Sequence, residues 1–236
     1  VIITISTPDE FYFNQLLAFL ASLNTNSPNQ EVYIQLVDYP AKKMYGLQHA
    51  FPDYLFLNTS VKKIDERGIE FILLRIDLIR SWFKQMGVKA ISWIDTDVIV
   101  RGDLSNFIYV KPNQLKILYR GDYVQEKVRF NAGIFSIGNS KPTLEFVNRW
   151  YGRLEDNAKW GMGQLELYRT YKEFKNKIEL IRMDQKYNDL GGADRPNAFS
   201  NESIMWHCKQ AHFNHPKFQK EFQKYLKLGK EIYNGS

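Results

Sequence analysis

Apolar positions along the chain switch between a period of two and a period near 3.6, and the switches lay out its elements. Residues 1–7, VIITIST, are β-branched and run into Pro8, which predicts a buried strand ending in a loop. Over residues 10–24, Phe11, Phe13, Leu16, Leu17, Leu20 and Leu23 recur at near-helical steps. Pro8 or Asp9 starts this helix and the Asn/Ser/Pro cluster at 24–29 ends it. Residues 31–37, EVYIQLV, predict a second strand closed by Asp38. Strand, helix, strand is the signature of a βαβ unit and a parallel sheet. Ligands of such sheets lie beyond the carboxyl ends of the strands, which puts Ser6, Thr7 and Asp38 on the ligand side. Asp38 is placed there either to hydrogen-bond a ribose or base edge, or simply to form the turn before Tyr39-Pro40.

A short helix over 41–50, broken by Pro52, and a short strand at 54–57 come next, followed by a polar loop at 61–68. Residues 69–86 carry the strongest helical stripe, with Ile69, Ile72, Leu73, Ile76, Ile79, Trp82 and Phe83 at steps of three and four, and Gly87 stops it. The segment 89–100, KAISWIDTDVIV, then reads as a strand buried on both faces, with Asp95-Thr96-Asp97 inside it. Two carboxylates two residues apart in such a run must be paired, neutralised or placed on a metal. At a strand end both reach one ion, and oxygen ligands of this kind suit Mg²⁺ or Mn²⁺, which in turn holds a diphosphate. The bland alternative is a pair of ordinary loop acids.

Downstream, the pattern predicts a strand at 115–119, a charged loop at 120–129 and a strand at 130–137, FNAGIFSI. The small residues of Asn131-Ala132-Gly133 let backbone approach a ligand, or form a tight bend against a neighbour. A helix opens at Lys141-Pro142, with Leu144, Phe146, Val147, Trp150 and Leu154 on one side. The Gly-rich loop 157–163 lacks the G-K-[ST] of a phosphate cradle, and Gln164 to Tyr171 begin another helix. After a strand at 178–183 comes a long polar loop, 184–203, of the length that forms lids. Ile204-Met205-Trp206 lead into His207, with His212 and His215 behind it, and a Lys-rich amphipathic helix fills 217–233.

Composition narrows the function classes. The 236 residues, 44% hydrophobic and 25% charged, form an ordinary globular chain able to bury a large core. A single cysteine, Cys208, excludes an internal disulfide and a cysteine metal site, and fits a reducing, cytoplasmic setting, either for the whole protein or for a domain trimmed from a larger or membrane-associated one. No apolar run reaches the length of a membrane span, and nothing at the N-terminus reads as a signal peptide. The net charge of +6 is spread along the chain apart from the tail after Lys217, so nucleic acid is not the expected partner. Aromatics at 15% supply core volume and stacking surfaces for rings or sugars.

A βαβ start, W-I-D-T-D-V-I-V-R-G-D-L at 93–104, the Asn131-Ala132-Gly133 strand and a late apolar strand ending in His207 now stand in order. Together they resemble the nucleotide-sugar glycosyltransferases of the A-type (GT-A) fold, and most closely the glycogenin and lipopolysaccharide galactosyltransferase family (family 8) and its viral and bacterial relatives. That family has a Y-L-D-x-D-x-x-V strand followed by G-D-L, an N-[SA]-G motif, an Arg in the helix before the metal strand, matched by Arg75-Ile76, and a late I-x-H. This chain departs in having Gly163 before Gln164 where the family has Asp-Gln, and in lacking the H-x-x-G-x-x-K-P-W ending.

The resemblance implies one α/β domain with a mostly parallel mixed central sheet flanked by helices. Its nucleotide-binding half would be about 1–104, its acceptor half 105–216, and the basic helix 217–233 an appendage. It implies transfer of a sugar from a nucleoside diphosphate donor, most simply a UDP-sugar, to a hydroxyl of a glycan or glycoconjugate. Mn²⁺ is favoured over Mg²⁺ because the implied ligands mix nitrogen with oxygen. Asp97 and His207 would hold the metal, with His212 the rival ligand, while Asp95 would serve the metal or the ribose. Ser6, Thr7, Asp38 and Thr96 would bind the nucleotide, Arg75 the sugar or diphosphate, and Asn131 and Ala132 the sugar. For Arg75 the alternative is an ordinary surface pairing with Glu70 or Asp77. An inverting enzyme would draw its general base from Glu166, Asp184 or Asp189, whereas a retaining one would present Gln164 to the reacting carbon. A nucleotidyltransferase of the same fold and a non-enzymatic sugar- or nucleic-acid-binding module are the competing readings. The first lacks its Gly-rich loop, because Ser6-Thr7-Pro8-Asp9 stands there.

Overall fold

A computed structural model describes residues 1–60, 67–121, 125–126, 129–156, 162–190, 198–208 and 213–235. In chain order the first elements are β1 (Ile2–Ser6), α1 (Glu10–Asn26), β2 (Val32–Val37), α2 (Ala41–Ala50), β3 (Leu55–Thr59), α3 (Arg67–Gln85), β4 (Ala90–Ile94) and β5 (Val98–Val100). They are followed by α4 (Ser105–Ile108), β6 (Gln114–Tyr119), β7 (Phe130–Gly138), α5 (Lys141–Asp156), α6 (Met162–Phe174) and β8 (Glu179–Arg182). A 3-10 turn (Gln185–Tyr187), β9 (Asp189–Leu190), β10 (Met205–His207) and α7 (Pro216–Gly235) complete the chain. The strand order is β3-β2-β1-β4-β7-β6-β8 in a seven-stranded sheet and β5-β10-β9 in a three-stranded one. The pairs β1–β2, β2–β3 and β6–β8 are parallel and β6–β7 is antiparallel, so the sheet is the mixed, mostly parallel α/β sheet that the resemblance implies.

Two compact units divide these elements. One comprises Val1–Val61, Ile94–Asn106 and Asp184–Ser236. Its core is built on α1, where every residue from Gln15 to Leu23 is buried. That helix runs to Asn26, past the expected stop, because its last turn is used: Asn26 Nδ2 donates to Val100 O at 3.0 Å and to the Tyr225 hydroxyl at 2.7 Å. Ser22 Oγ accepts from Val100 N at 3.1 Å, and Ser27 Oγ accepts from Leu104 N at 3.1 Å. Side chains of α1 and its C-cap Ser27 thus satisfy backbone groups around and just after β5 that no strand pairs, as buried polar groups require. On its other side α1 meets α7, whose stripe of Phe218, Phe222, Tyr225 and Leu226 is buried.

The second unit comprises Lys62–Trp93 and Phe107–Met183. Its strand β7, FNAGIFSIG, is buried at every position. Here α5 packs on both α3 and α6, and Trp150 Nε1 donates to Gly163 O at 3.1 Å. Gly138 is forced, since a Cβ there would lie 2.0 Å from Lys111 O.

One expectation is corrected by the chain path. Residues 89–100 do not form a single strand: β4 ends at Ile94, Asp95-Thr96-Asp97 turn, and Val98–Val100 belong to the other sheet. Both halves are buried, so the apolar run is continuous in sequence although it is divided in space. The expected loop at 184–203 also contains the 3-10 turn and β9, and α6 starts at Met162 rather than Gln164. The loops expected at 61–68, 120–129 and 157–163 lie partly outside the described residues, and His212 lies wholly outside them.

Candidate active site

The Asp95–Asp97 turn sits where β4 ends and β5 begins, and β5 then fixes what faces it. Strand β10 pairs antiparallel with β5 in the register Met205↔Val100, Trp206↔Ile99, His207↔Val98. The ladder continues one bond further, with Cys208 N donating to Asp97 O at 3.0 Å. Arg101 locks the far end: its N donates to Ile204 O at 2.7 Å, its Nη1 donates to Ser200 O at 3.0 Å, and its guanidinium lies 4.0 Å from the Trp206 ring centroid. This pairing carries His207, 1% exposed, to the acidic turn across more than a hundred residues of sequence.

One ligand atom from each of Asp95, Asp97 and His207 lies within 4.8 Å of the others. Nε2 of His207 and Oδ1 of Asp97 are 3.2 Å apart, yet both atoms are buried and neither makes a hydrogen bond. Buried polar atoms are rarely left so. Two carboxylates and one imidazole, with Asp97 Oδ1 and His207 Nε2 lacking a hydrogen bond, form an N/O donor set that fits a divalent cation of the Mn²⁺ type. On the other ring nitrogen, Nδ1 lies 3.0 Å from Asn188 Oδ1.

The same unit holds the residues expected at the nucleotide. Ser6 Oγ and the Tyr39 hydroxyl are 2.8 Å apart, and that hydroxyl also donates to Thr7 O at 2.8 Å. Burial pushes the Tyr39 phenol well above the usual tyrosine range, with the Ser6 hydrogen bond acting against it, so it stays a hydrogen-bonding hydroxyl. Thr7 Oγ1 is buried without a hydrogen bond. Asp38, at the end of β2, is exposed and adopts φ 55°, a left-handed conformation that Asp tolerates better than most residues. Thr96 is buried in the acidic turn. Tyr39 and its reciprocal bonds with Asn58, at 3.1 and 2.9 Å, were not read from the sequence; Tyr39-Pro40 looked only like a turn.

In the second unit, Arg75 Nη1 donates to Ala132 O at 2.7 Å and its guanidinium lies 4.6 Å from the Trp93 ring centroid. Ala132 N donates to Gln164 Oε1 at 3.2 Å, and Asn131 Oδ1 accepts from Gly133 N at 2.9 Å. Arg75, Asn131, Ala132 and Gln164 are therefore assembled together, on three separate elements. Glu166 is elsewhere in its bonding: it is 1% exposed, with Oε2 accepting from Arg153 Nη1 at 3.1 Å and Oε1 from Arg169 Nη1 at 3.0 Å. In the first unit, Asp189 Oδ2 accepts from Ser200 N at 2.8 Å and Ser203 Oγ at 2.7 Å. Asp184 caps the 3-10 turn, accepting from Lys186 N at 3.0 Å.

No protein-family model matches the chain, and no curated protein matches it in sequence. Solved structures do match its fold. The glycosyltransferase GlyE of Streptococcus pneumoniae aligns over 99% of this chain and 62% of its own, with a TM-score of 0.70 and 17% identity. The bifunctional glycosyltransferase WbbM aligns over 99% of this chain and 51% of its own, at TM-score 0.68 and 14% identity. The galactosyltransferase LgtC, solved with donor and acceptor sugar analogues, aligns over 94% of this chain and 95% of its own, at TM-score 0.63 and 14% identity. This chain thus spans about three-fifths of GlyE and half of WbbM. At these identities the likeness establishes the fold, which is the A-type glycosyltransferase fold that the sequence motifs resemble; function has to come from the site.

Proposed function

We propose that the chain is a metal-dependent glycosyltransferase that moves a sugar from a nucleoside diphosphate donor, a UDP-sugar in the simplest case, to a hydroxyl of a glycan or glycoconjugate. The observation that carries this reading is the buried approach of Asp97 Oδ1 and His207 Nε2, 3.2 Å apart beside Asp95, in which neither atom makes a hydrogen bond. The fold of three glycosyltransferases supports it.

In this reading Asp97 and His207 hold the cation and Asp95 holds the cation or the ribose. Ser6, Thr7, Asp38 and Thr96 bind the nucleoside at the carboxyl ends of β1, β2 and β4. A divalent cation held by these residues would supply charge stabilisation for the departing nucleoside diphosphate. Arg75 serves the sugar or diphosphate, Asn131 and Ala132 serve the sugar, and in a retaining reaction Gln164 faces the reacting carbon. The donor set mixes a nitrogen with oxygens, which favours Mn²⁺ over Mg²⁺. A nucleotidyltransferase is disfavoured, because the turn after β1 is Ser6-Thr7-Pro8-Asp9 rather than a basic Gly-rich loop.

The test is thermal unfolding with a panel of nucleoside diphosphates, each with and without Mn²⁺. A ligand present at a hundred times its Kd stabilises by about 2.7 kcal/mol, and in a chain of this size each kcal/mol moves Tm by about 2–4 °C. One nucleotide should therefore raise Tm by about 5–11 °C, with Mn²⁺ only. Asp97→Ala should abolish the shift, and a shift that survived it would remove the metal assignment.

A further inference from the structure

Asn188 is buried completely, at 0% exposure, and its amide is only half satisfied. Its Oδ1 lies 3.0 Å from His207 Nδ1, while its Nδ2 makes no hydrogen bond. The backbone is held on both sides. Asn188 N donates to Gln185 O at 2.9 Å, closing the 3-10 turn, and the next two residues are β9, which pairs Trp206↔Asp189 and His207↔Leu190 with β10. Asp189, the first of them, is tied down in turn by Ser200 and Ser203.

An amide oxygen only accepts, so with Asn188 Oδ1 as its partner Nδ1 of His207 is the donor and carries a ring proton. A neutral imidazole protonated there carries its lone pair on Nε2. That is the atom 3.2 Å from Asp97 Oδ1 and without a hydrogen bond. The opposite turn of the amide would present its NH₂ to Nδ1 and move the ring proton to Nε2. His207 would then donate to Asp97 and lose its ligand lone pair.

We propose that Asn188 is a positioning residue that fixes His207 in the Nδ1–H tautomer and so aims Nε2 at a divalent cation shared with Asp97. This rests on the cation reading of the site. Partners behind metal-ligating histidines typically change metal affinity by about 10–100-fold when removed.

The experiment is Mn²⁺ affinity, by calorimetry and by electron paramagnetic resonance, for wild type, Asn188→Leu and Asn188→Asp, joined to the ¹⁵N spectrum of the His207 ring in metal-free wild type. Asn188→Leu removes the acceptor at similar volume and should weaken Mn²⁺ by about 10–100-fold. Asn188→Asp keeps an acceptor on Nδ1 and should retain binding. In wild type the ring should be protonated on Nδ1 and bare on Nε2. A wild type that binds no Mn²⁺ overturns the cation reading itself. A wild type that binds while Asn188→Leu binds equally well, whatever its Tm, overturns only the role of Asn188. If Asn188→Leu fails to fold, the inference still falls to an Nε2-protonated His207 in wild type, or to lost binding in Asn188→Asp.

Discussion

Glu166 decides between a catalytic and an architectural use of the same carboxylate, and Glu166→Gln separates them. The side chain is 1% exposed and accepts from Arg153 at 3.1 Å and Arg169 at 3.0 Å, joining α5 to the first half of α6. A hydrogen bond to a charged group contributes about 1.5–3 kcal/mol, and breaking a fully buried pair costs about 3–5 kcal/mol. Neither arginine is fully buried, their side chains being 24% and 42% exposed, so water takes over part of what the carboxylate provided. Each also has another carboxylate to turn to, Arg153 finding Glu173 and Arg169 finding Glu126. Glutamine keeps one acceptor of the same shape. The net loss should be about 2 kcal/mol, which for a chain of this size lowers Tm by about 4–8 °C. Calorimetric melts of both proteins measure it, alongside the rate per folded molecule of the proposed sugar transfer, which should be nearly unchanged. A general base would behave in the opposite way, losing about 10²–10⁴-fold in rate with little change in Tm. A Tm within about 1 °C of wild type, or a rate loss of that size, refutes the architectural reading.

Two further predictions concern packing and pH. Gly229 lets α7 approach α1 so closely that a Cβ would lie 2.5 Å from Leu17 O, so Gly229→Ala should destabilise by about 1–3 kcal/mol despite alanine's better helix propensity. Gly152 on α5 has open space at its Cβ, and Gly152→Ala should raise Tm instead; calorimetry on the pair reads both signs, and two rises would show that the α1–α7 contact yields easily. Hydrogen bonds from Arg149 and then Arg153 hold the Glu173 carboxyl below its ordinary 4.5. A depressed folded-state value contributes stability that is present above the unfolded pKa and lost as pH falls through the folded one. The Tm gap between wild type and Glu173→Gln should therefore close in acid. Because the pair is partly exposed, it should not exceed about 1 kcal/mol even at neutral pH. A gap that widened in acid would be the wrong sign.

The contrast between Asp97 and Asn188 shows where sequence reading stops. Asp97 was legible because two acids inside an apolar run are a local conflict, and burial makes such conflicts expensive enough to demand a partner. His207 was legible for a related reason, as a polar residue closing a short apolar strand, though only the family resemblance joined it to an acid more than a hundred residues earlier. What joins them physically is the β5–β10 register, and no periodicity encodes register between distant strands. The same limit hid the break at Asp95: strands buried in two different sheets have the same apolar signature, so ISWI and VIV read as one. Asn188 left no signal at all. It lies between a three-residue turn and a two-residue strand, both too short to show a period, in a stretch whose composition says loop. Glu166 falls between these cases. Its pairing with Arg169 is an i,i+3 neighbour that a helix places automatically, whereas Arg153 reaches it from another helix. Chemistry that conflicts with its local environment announces itself in sequence. Chemistry that depends on which distant backbone lies alongside does not, and here the second kind decides whether His207 offers a lone pair or a proton.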